Sequence, residues 1–157
     1  MRYLSGKDKK NLQKELLSTS LKIDKKDEII EFNNIIFKNK NPLLIKSEVF
    51  KNIEEFDFLT YIPHLKSLEV KELKSITIDV GAVPFLLKGV DMMRPGITSI
   101  QDNIEKHEII RIIDEVKGLT IGVGISLYSS DEMNNLKTGK VVKTLHYFKD
   151  SLYNTNL

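Results

Sequence analysis

The first apolar pattern along the chain has helical spacing. Ser5 is followed three residues later by Asp8, which is the pattern of a capping box at the start of a helix. Beyond that pair the leucines recur on one side of an ideal helix: Leu12, Leu16 and Leu17. The pattern therefore predicts an amphipathic helix over residues 6–18.

Shorter apolar runs follow, and their length is typical of strands. They occupy residues 21–24, 28–32, 35–37 and 43–45. The segment 38–42 between the last two runs contains Asn and Pro, which favours a hairpin. Pro63 predicts the first turn of a short helix that continues to Leu68.

From residue 75 onward the pattern is mostly that of strands with two short helices. Strands are predicted at residues 76–78, 107–116, 119–127 and 140–145, and helices at residues 82–89 and 129–136. Arg94, Pro95 and Gly96 predict a turn. Gly122 and Gly124 alternate within one strand, which lets another group pack closely on that face.

A charged segment at residues 70–74 separates these two patterns. We place a domain boundary there, with a small α/β domain at residues 1–74 and a mostly β domain at residues 75–157. The chain as a whole is predicted to be of the α+β class.

Composition restricts the class of protein. With 157 residues, 41% hydrophobic and 29% charged, the chain is typical of a globular protein. It has no cysteine, which excludes disulfides, thiolate metal sites and cysteine nucleophiles and suits a reducing cytoplasm. The first ten residues are charged, and the longest apolar run has five residues, so we expect no secretory signal and no membrane span.

Basic charge is clustered although the net charge is only +2. Residues 1–26 carry eight basic and three acidic side chains, and residues 133–149 carry four lysines, one histidine and no acid. Such clusters attract a phosphate backbone. They are equally typical of a solvated surface, and the charge pattern alone leaves both interpretations open.

No pattern predicts a catalytic, metal or cofactor site. His64, His107 and His146 have no histidine partner at helical spacing, so no metal site is expected. Gly122 and Gly124 lack the third glycine of a dinucleotide-binding turn and lie within a predicted strand. We therefore expect a protein without cofactor and without catalysis.

One long motif resembles a known family. Residues 79–97 read Asp-Val-Gly-Ala-Val-Pro-Phe-Leu-Leu-Lys-Gly-Val-Asp-Met-Met-Arg-Pro-Gly-Ile, which resembles the opening signature of PUA domains. The runs 123–125, 129–133 and 139–142 resemble the same family in its order. Residues 145–153 are similar to the ending of archaeal PUA proteins related to the eukaryotic malignant-T-cell-amplified-sequence translation factor.

The resemblance implies a β pseudobarrel with short helices that binds structured RNA, either tRNA or rRNA. The related group works in translation at the small ribosomal subunit, in initiation, re-initiation or recycling. Its eukaryotic members act with a density-regulated partner protein, and whether this chain needs such a partner stays open.

The family motif also indicates which residues would contact RNA. The candidates are small residues at either end of the helix predicted at residues 82–89, or basic side chains in the motif and in the last predicted strand and just after it. They are Gly81, Ala82, Lys88, Gly89, Arg94, Lys140, Lys143 and His146. Asp79 and Asp91, as carboxylates, are expected to accept hydrogen bonds in turns and caps. Tyr147 and Phe148 are expected in the core, and the alternative for Tyr147 is stacking on an unpaired base.

Each candidate also has a structural interpretation. Gly81 and Ala82 either leave backbone N–H groups open to phosphate or allow close packing. Lys88 either contacts phosphate or complements the helix dipole. Arg94 either contacts a phosphate or a base edge, or it braces a loop by pairing with Asp91 or Asp79. Lys140 and Lys143 lie on opposite faces of an ideal strand unless it bulges, and His146 could stack on a base.

Two other functions compete with an RNA-binding translation factor. The chain could instead deliver tRNA or rRNA to a separate modification enzyme. A third hypothesis, an enzyme in its own right, has little room in 74 residues ahead of the predicted barrel and no cofactor motif to support it.

Overall fold

The chain forms two units. The structure, a computed structural model, describes residues 1–16, 21–50, 53–56 and 61–157. One unit comprises Met1–Glu69 together with Thr155–Leu157, and the other comprises Val70–Asn154. Two independent domains with a boundary after residue 74 stay a prediction.

The first unit begins with the predicted helix. Helix α1 spans Gly6–Glu15, and Ser5 caps it: Asp8 N–H donates to Ser5 Oγ at 3.2 Å, and Ser5 N–H donates to the Asp8 carboxylate at 3.0 Å. Leu12 and Leu16 are buried in the core of this unit. The start of the helix is confirmed, while its predicted last residues, 17 and 18, lie outside the described residues.

An antiparallel sheet carries the rest of this unit. Its strands in the described residues are β1 Arg2–Tyr3, β2 Ile29–Phe32, β3 Ile35–Lys38, β4 Asn41–Lys46 and β5 Tyr61–Pro63, in chain order across the sheet. The hairpin between β3 and β4 is confirmed, and its turn residues Asn39 and Lys40 both have positive φ. Because every pairing is antiparallel, α+β describes this unit better than α/β.

Two local predictions in this unit are wrong. Residues 21–24 form no strand, and side chains bond part of their backbone instead: Gln13 donates to Leu21 O at 2.9 Å and accepts from Ile23 N–H at 2.6 Å. Pro63 starts no helix but ends β5 opposite Leu44. Since β5 lies at the sheet edge, the missing N–H of proline is tolerated there.

The second unit is built on a mixed, nearly closed sheet, which confirms the predicted pseudobarrel. Its strands in the described residues are β6 Ser75–Ile78, β7 Met92–Met93, β8 Ile97–Ile100, β9 Ile109–Asp114, β10 Thr120–Ser126 and β11 Lys140–Tyr147. They lie in the order β7-β11-β10-β9-β6-β8. Only the β6–β9 pair is parallel among these described strands.

Two short helices pack against this sheet. Helix α2 spans Val83–Leu86, which is shorter than predicted, and the chain then turns through Gly89, whose φ is +80°. Helix α3 spans Ser130–Asn135 and has a capping box between Ser129 and Glu132. None of the helices in the described ranges combines the length and the apolarity that crossing a membrane requires.

The alternating glycines of β10 mark close approaches, as predicted. A Cβ on Gly122 would lie 3.2 Å from the Leu86 methyl carbons of α2. A Cβ on Gly124 would lie 2.6 Å from the carbonyl oxygen of Lys143 on β11. These two positions therefore set how near α2 and β11 come to β10.

We expect Gly124→Ala to destabilise the second unit by about 1–3 kcal/mol, because the added methyl meets backbone that cannot rotate away. Urea unfolding measures this loss. Gly6→Ala is the matched control, since no atom lies within 4 Å of its added Cβ. Equal unfolding midpoints for the two variants would contradict the close approach.

Candidate nucleic-acid interface

A cavity of about 530 Å³ opens on the surface of the second unit beside α2. Its lining includes three well-exposed apolar side chains and two carboxylates: Phe85, Val90, Met93, Asp79 and Asp91. We call this surface, together with the exposed Lys88 and Lys140, the α2 face. Phe85 is 57% exposed, an unusual position for a phenylalanine in a small unit with a well-filled core.

Asp79 shapes the entrance to α2. Ala82 N–H donates to Asp79 Oδ1 at 2.8 Å, so this carboxylate takes the role expected of it. Gly81 leaves room for the carboxylate, because a Cβ there would lie 3.2 Å from Oδ1. The Ala82 N–H is thus already paired and faces a negative charge, which favours the structural interpretation of this small-residue pair over a phosphate contact.

Asp91 joins the segment after α2 to β11. Its Oδ1 accepts from Thr144 N–H at 2.9 Å, and its Oδ2 forms an ion pair with Lys140 at 3.2 Å. The Thr144 hydroxyl in turn donates to Val90 O at 2.9 Å. Lys140 is still half exposed, so its ammonium reaches the α2 face while it neutralises one of the two carboxylates there.

The two lysines of β11 lie on the same side of the strand. Val141 is an extra residue in the pairing with β7, and both Val141 and Val142 are buried. This bulge changes the alternation, so Lys140 and Lys143 both point away from the core. The sequence left this arrangement open, and the bulge decides it.

Lys88 and Gly89 occupy the turn that follows α2. Lys88 is exposed, and its side chain forms no hydrogen bond or ion pair with the described residues. Gly89 has a structural role, because a Cβ there would lie 3.1 Å from the Tyr147 ring and its φ favours glycine. Lys88 is therefore the candidate cation whose charge no neighbour offsets.

Arg94 braces the fold beside the α2 face. Its Nε donates to Met133 O at 2.7 Å and its Nη1 donates to Ile97 O at 3.0 Å. Bracing is one of the two roles that the sequence left open for Arg94, but its partners are backbone carbonyls of α3 and of the start of β8, not Asp79 or Asp91. A guanidinium held in this way has fewer donors to offer to RNA.

His146 is fully buried, so the expectation that it stacks on a base is wrong. Its Nδ1 lies 2.8 Å from Asp150 Oδ2, and the same carboxylate accepts from the N–H groups of Tyr147 at 2.9 Å and Tyr153 at 2.7 Å. Burial raises the pKa of the Asp150 carboxyl, but the hydrogen bonds from His146 and the two N–H groups lower it further, and the result is a pKa below the ordinary value. The pair fixes the C-terminal turn instead of lining a surface.

Sequence reasoning missed the apolar part of the α2 face. Phe85 lies off the stripe formed by Val83 and Leu86, which is the signal that could have identified an exposed aromatic ring.

The described residues include no group of three or more His, Asp or Glu side chains arranged to hold a metal ion. The face therefore offers an aromatic ring and carboxylates, which can contact bases, and lysines, which can contact phosphates.

Comparison with known sequences places the second unit in a family. The profile of the PUA domain matches residues 74–148. An uncharacterized protein of Methanocaldococcus jannaschii is 34% identical over 163 residues, which cover 97% of this chain and 94% of that protein. Translation machinery-associated protein 20 of Schizosaccharomyces pombe is 33% identical over 86 residues, 52% of this chain and 48% of that protein.

A further relative agrees with this assignment, and two solved structures share the fold. Malignant T-cell-amplified sequence 1 of Danio rerio is 30% identical over 48% of this chain and 44% of its own length. A hypothetical protein of Pyrococcus horikoshii has a TM-score of 0.71 at 27% identity, covering 97% of this chain and 96% of that one. A PUA domain of Aeropyrum pernix in complex with tartrate has a TM-score of 0.76 at 19% identity, covering 97% and 88%, and shares the fold.

Arg94→Gln is expected to lower the free energy of unfolding by about 1–3 kcal/mol, because two carbonyl oxygens lose a charged donor. Lys88→Gln serves as the control and should change it by less than about 0.5 kcal/mol, since Lys88 is exposed. Urea unfolding compares them. If both variants unfold at the same midpoint, Arg94 is not the brace described above.

Asp150→Asn is expected to cost about 1–3 kcal/mol near neutral pH, because three donors converge on the carboxylate and an amide has one acceptor oxygen. The folded-state pKa of Asp150 lies below the ordinary value of 3.8, so the wild-type advantage is complete above that pH and is lost as pH falls through the folded-state pKa. Urea unfolding at a series of pH values measures the difference. An advantage that grew on acidification would contradict the assignment.

Proposed function

The chain belongs to the PUA-domain proteins related to the malignant T-cell-amplified sequence proteins, and from this premise we propose that it binds structured RNA as a non-catalytic component of the translation machinery. PUA domains are RNA-binding modules, and one relative named above, translation machinery-associated protein 20, is associated with the translation machinery by its name. The observation that carries the proposal is the α2 face, where an exposed Phe85 stands on an apolar cavity beside lysines.

The chemistry of the α2 face suits an unpaired base more than a bare phosphate. An exposed aromatic ring stacks on any base. Asp79 and Asp91 would repel phosphate, but carboxylate oxygens accept hydrogen bonds from base amino groups. Lys88, whose charge is not offset, would contact the backbone next to the stacked base.

We further propose that the RNA is tRNA or rRNA and that the protein acts at the small ribosomal subunit. The end of a tRNA and the loops of rRNA both present unstacked nucleotides next to a helix, which matches a face with one ring and few cations. Lys143 belongs with Lys88 and Lys140 as a candidate backbone contact in this complex, whereas Gly81, Ala82 and Gly89 act by shaping the face.

The experiment measures binding of the purified protein to tRNA and to small ribosomal subunits across a salt series. The variant Phe85→Ala/Lys88→Gln should lose about 5- to 150-fold in affinity, the range for one lost stacked base, and its salt slope should fall by about 0.7–0.9. The matched control is Leu119→Ala/Lys117→Gln, because Leu119 is also 57% exposed and Lys117 is also exposed.

Three outcomes would contradict the proposal in different ways. Equal losses in the variant and its control would remove the α2 face as the site. No binding of wild-type protein to tRNA or subunits at low salt would favour a protein-interaction role. Stable co-purification with an RNA-modification enzyme, without binding to ribosomal subunits, would favour the accessory function.

A further inference from the structure

A second candidate surface lies in the first unit, in a groove of about 760 Å³ beside α1. Lysines line it from both sides: Lys7, Lys9 and Lys10 lie on α1, and Lys25 lies on the facing segment. Asp24 is the only carboxylate among the described lining residues. The groove is therefore strongly cationic in a chain whose net charge is only +2.

The walls of the groove are held by hydrogen bonds. The Gln13 amide on α1 bonds to the backbone at Leu21 and Ile23. Lys9 Nζ donates to Lys25 O at 3.3 Å and holds the segment to α1 near its other end. The backbone segments that carry the lysines on the two sides are thus held together by hydrogen bonds.

Three acids of this unit pair with cations outside the groove. Glu31 lies 2.8 Å from Arg2 and 2.7 Å from Lys46, so one carboxylate serves two cations on the sheet. Asp27 pairs with Lys38 at 3.5 Å. Asp8, although it lies on α1, accepts hydrogen bonds from Ser5 and pairs with Arg2, while the nearby charge of Lys7 contributes least to its lowered pKa.

The lysines of the groove are left without such partners. Within the described ranges, Lys7, Lys10 and Lys25 form no ion pair, and all three are exposed. Several unpaired ammonium groups held around one concave surface bind a polyanion well, because each bound phosphate releases condensed counterions. A nucleic-acid backbone supplies phosphates at regular spacing along such a groove.

We propose that this lysine groove binds the phosphate backbone of RNA, as a second contact separate from the α2 face. The inference rests on the proposed RNA-binding function and extends it to the first unit. The groove recognises phosphate without regard to sequence, since it offers point charges and no aromatic ring among its described lining residues. It also accounts for how residues 75–157, which carry nine basic and ten acidic side chains, can belong to an RNA-binding protein.

The test compares two triple variants for binding to a tRNA transcript across a salt series. Lys7→Gln/Lys10→Gln/Lys25→Gln should lower the salt slope by about two to three, because each lost phosphate contact removes about 0.7–0.9. Lys9 is left intact because it holds the groove together. The control Lys71→Gln/Lys106→Gln/Lys117→Gln removes the same charge from exposed lysines elsewhere and should leave the slope within about one of wild type.

A second measurement does not depend on substitutions. Acetylation of surface lysines in wild-type protein, read by mass spectrometry, should be slower at Lys7, Lys10 and Lys25 when tRNA is bound and unchanged at Lys71, Lys106 and Lys117. An unchanged slope in the groove variant, equal effects in both triple variants, or equal acetylation with and without tRNA would overturn the inference.

These outcomes are distinguishable from failure of the proposed function. If wild-type protein binds tRNA and the Phe85→Ala/Lys88→Gln variant loses affinity while the groove variant does not, the α2 face stands and the groove falls. If wild-type protein does not bind RNA at low salt, both proposals fall together.

Discussion

The close approach of α2 and β11 to β10 is the constraint on which the second unit depends. Gly124 lets the carbonyl oxygen of Lys143 approach to a distance that no side chain would permit, and Gly122 does the same for Leu86 of α2. Phe85 and Lys88 lie within two residues of Leu86, and Lys140 and Lys143 lie on β11. The close packing at these two glycines therefore sets the positions of the residues in the candidate interface. Larger residues there would move the face as well as the core.

Charge within this unit is used mainly to hold the fold. Asp79 and Asp91 accept backbone N–H groups, Arg94 donates to backbone carbonyls, and buried Asp150 gathers three donors at the C-terminal turn. What is left on the surface is an aromatic ring with a small number of lysines. Such a surface is suited to contacting a few nucleotides, so electrostatic attraction to a long RNA has to come from elsewhere in the chain. Among the described residues, the lysines of the groove beside α1 are the group that can supply this electrostatic attraction.

Several elements were predictable because they depend on neighbours in the sequence. The Ser5–Asp8 and Ser129–Glu132 pairs are local capping boxes, and the turn at Asn39 and Lys40 follows from the residues in it. The family motif likewise identified the region of the α2 face. Residues 21–24 were not predictable in this way, because their backbone partner is the distant side chain of Gln13. Pro63 was misread because its position at a sheet edge is not visible in the local sequence.

The sequence by itself determined the class of protein, most helix starts and strands, and a set of residues in which the α2 face lies. The tertiary structure decided what each of those residues does. Arg94 and His146 have side chains that would suit RNA, yet one braces two carbonyl oxygens and the other is buried against Asp150. Phe85 has a side chain that would suit the core, yet it is exposed. The physical reason is that a side chain's role depends on burial and on partners far away in the chain, which are set only when the sheet closes.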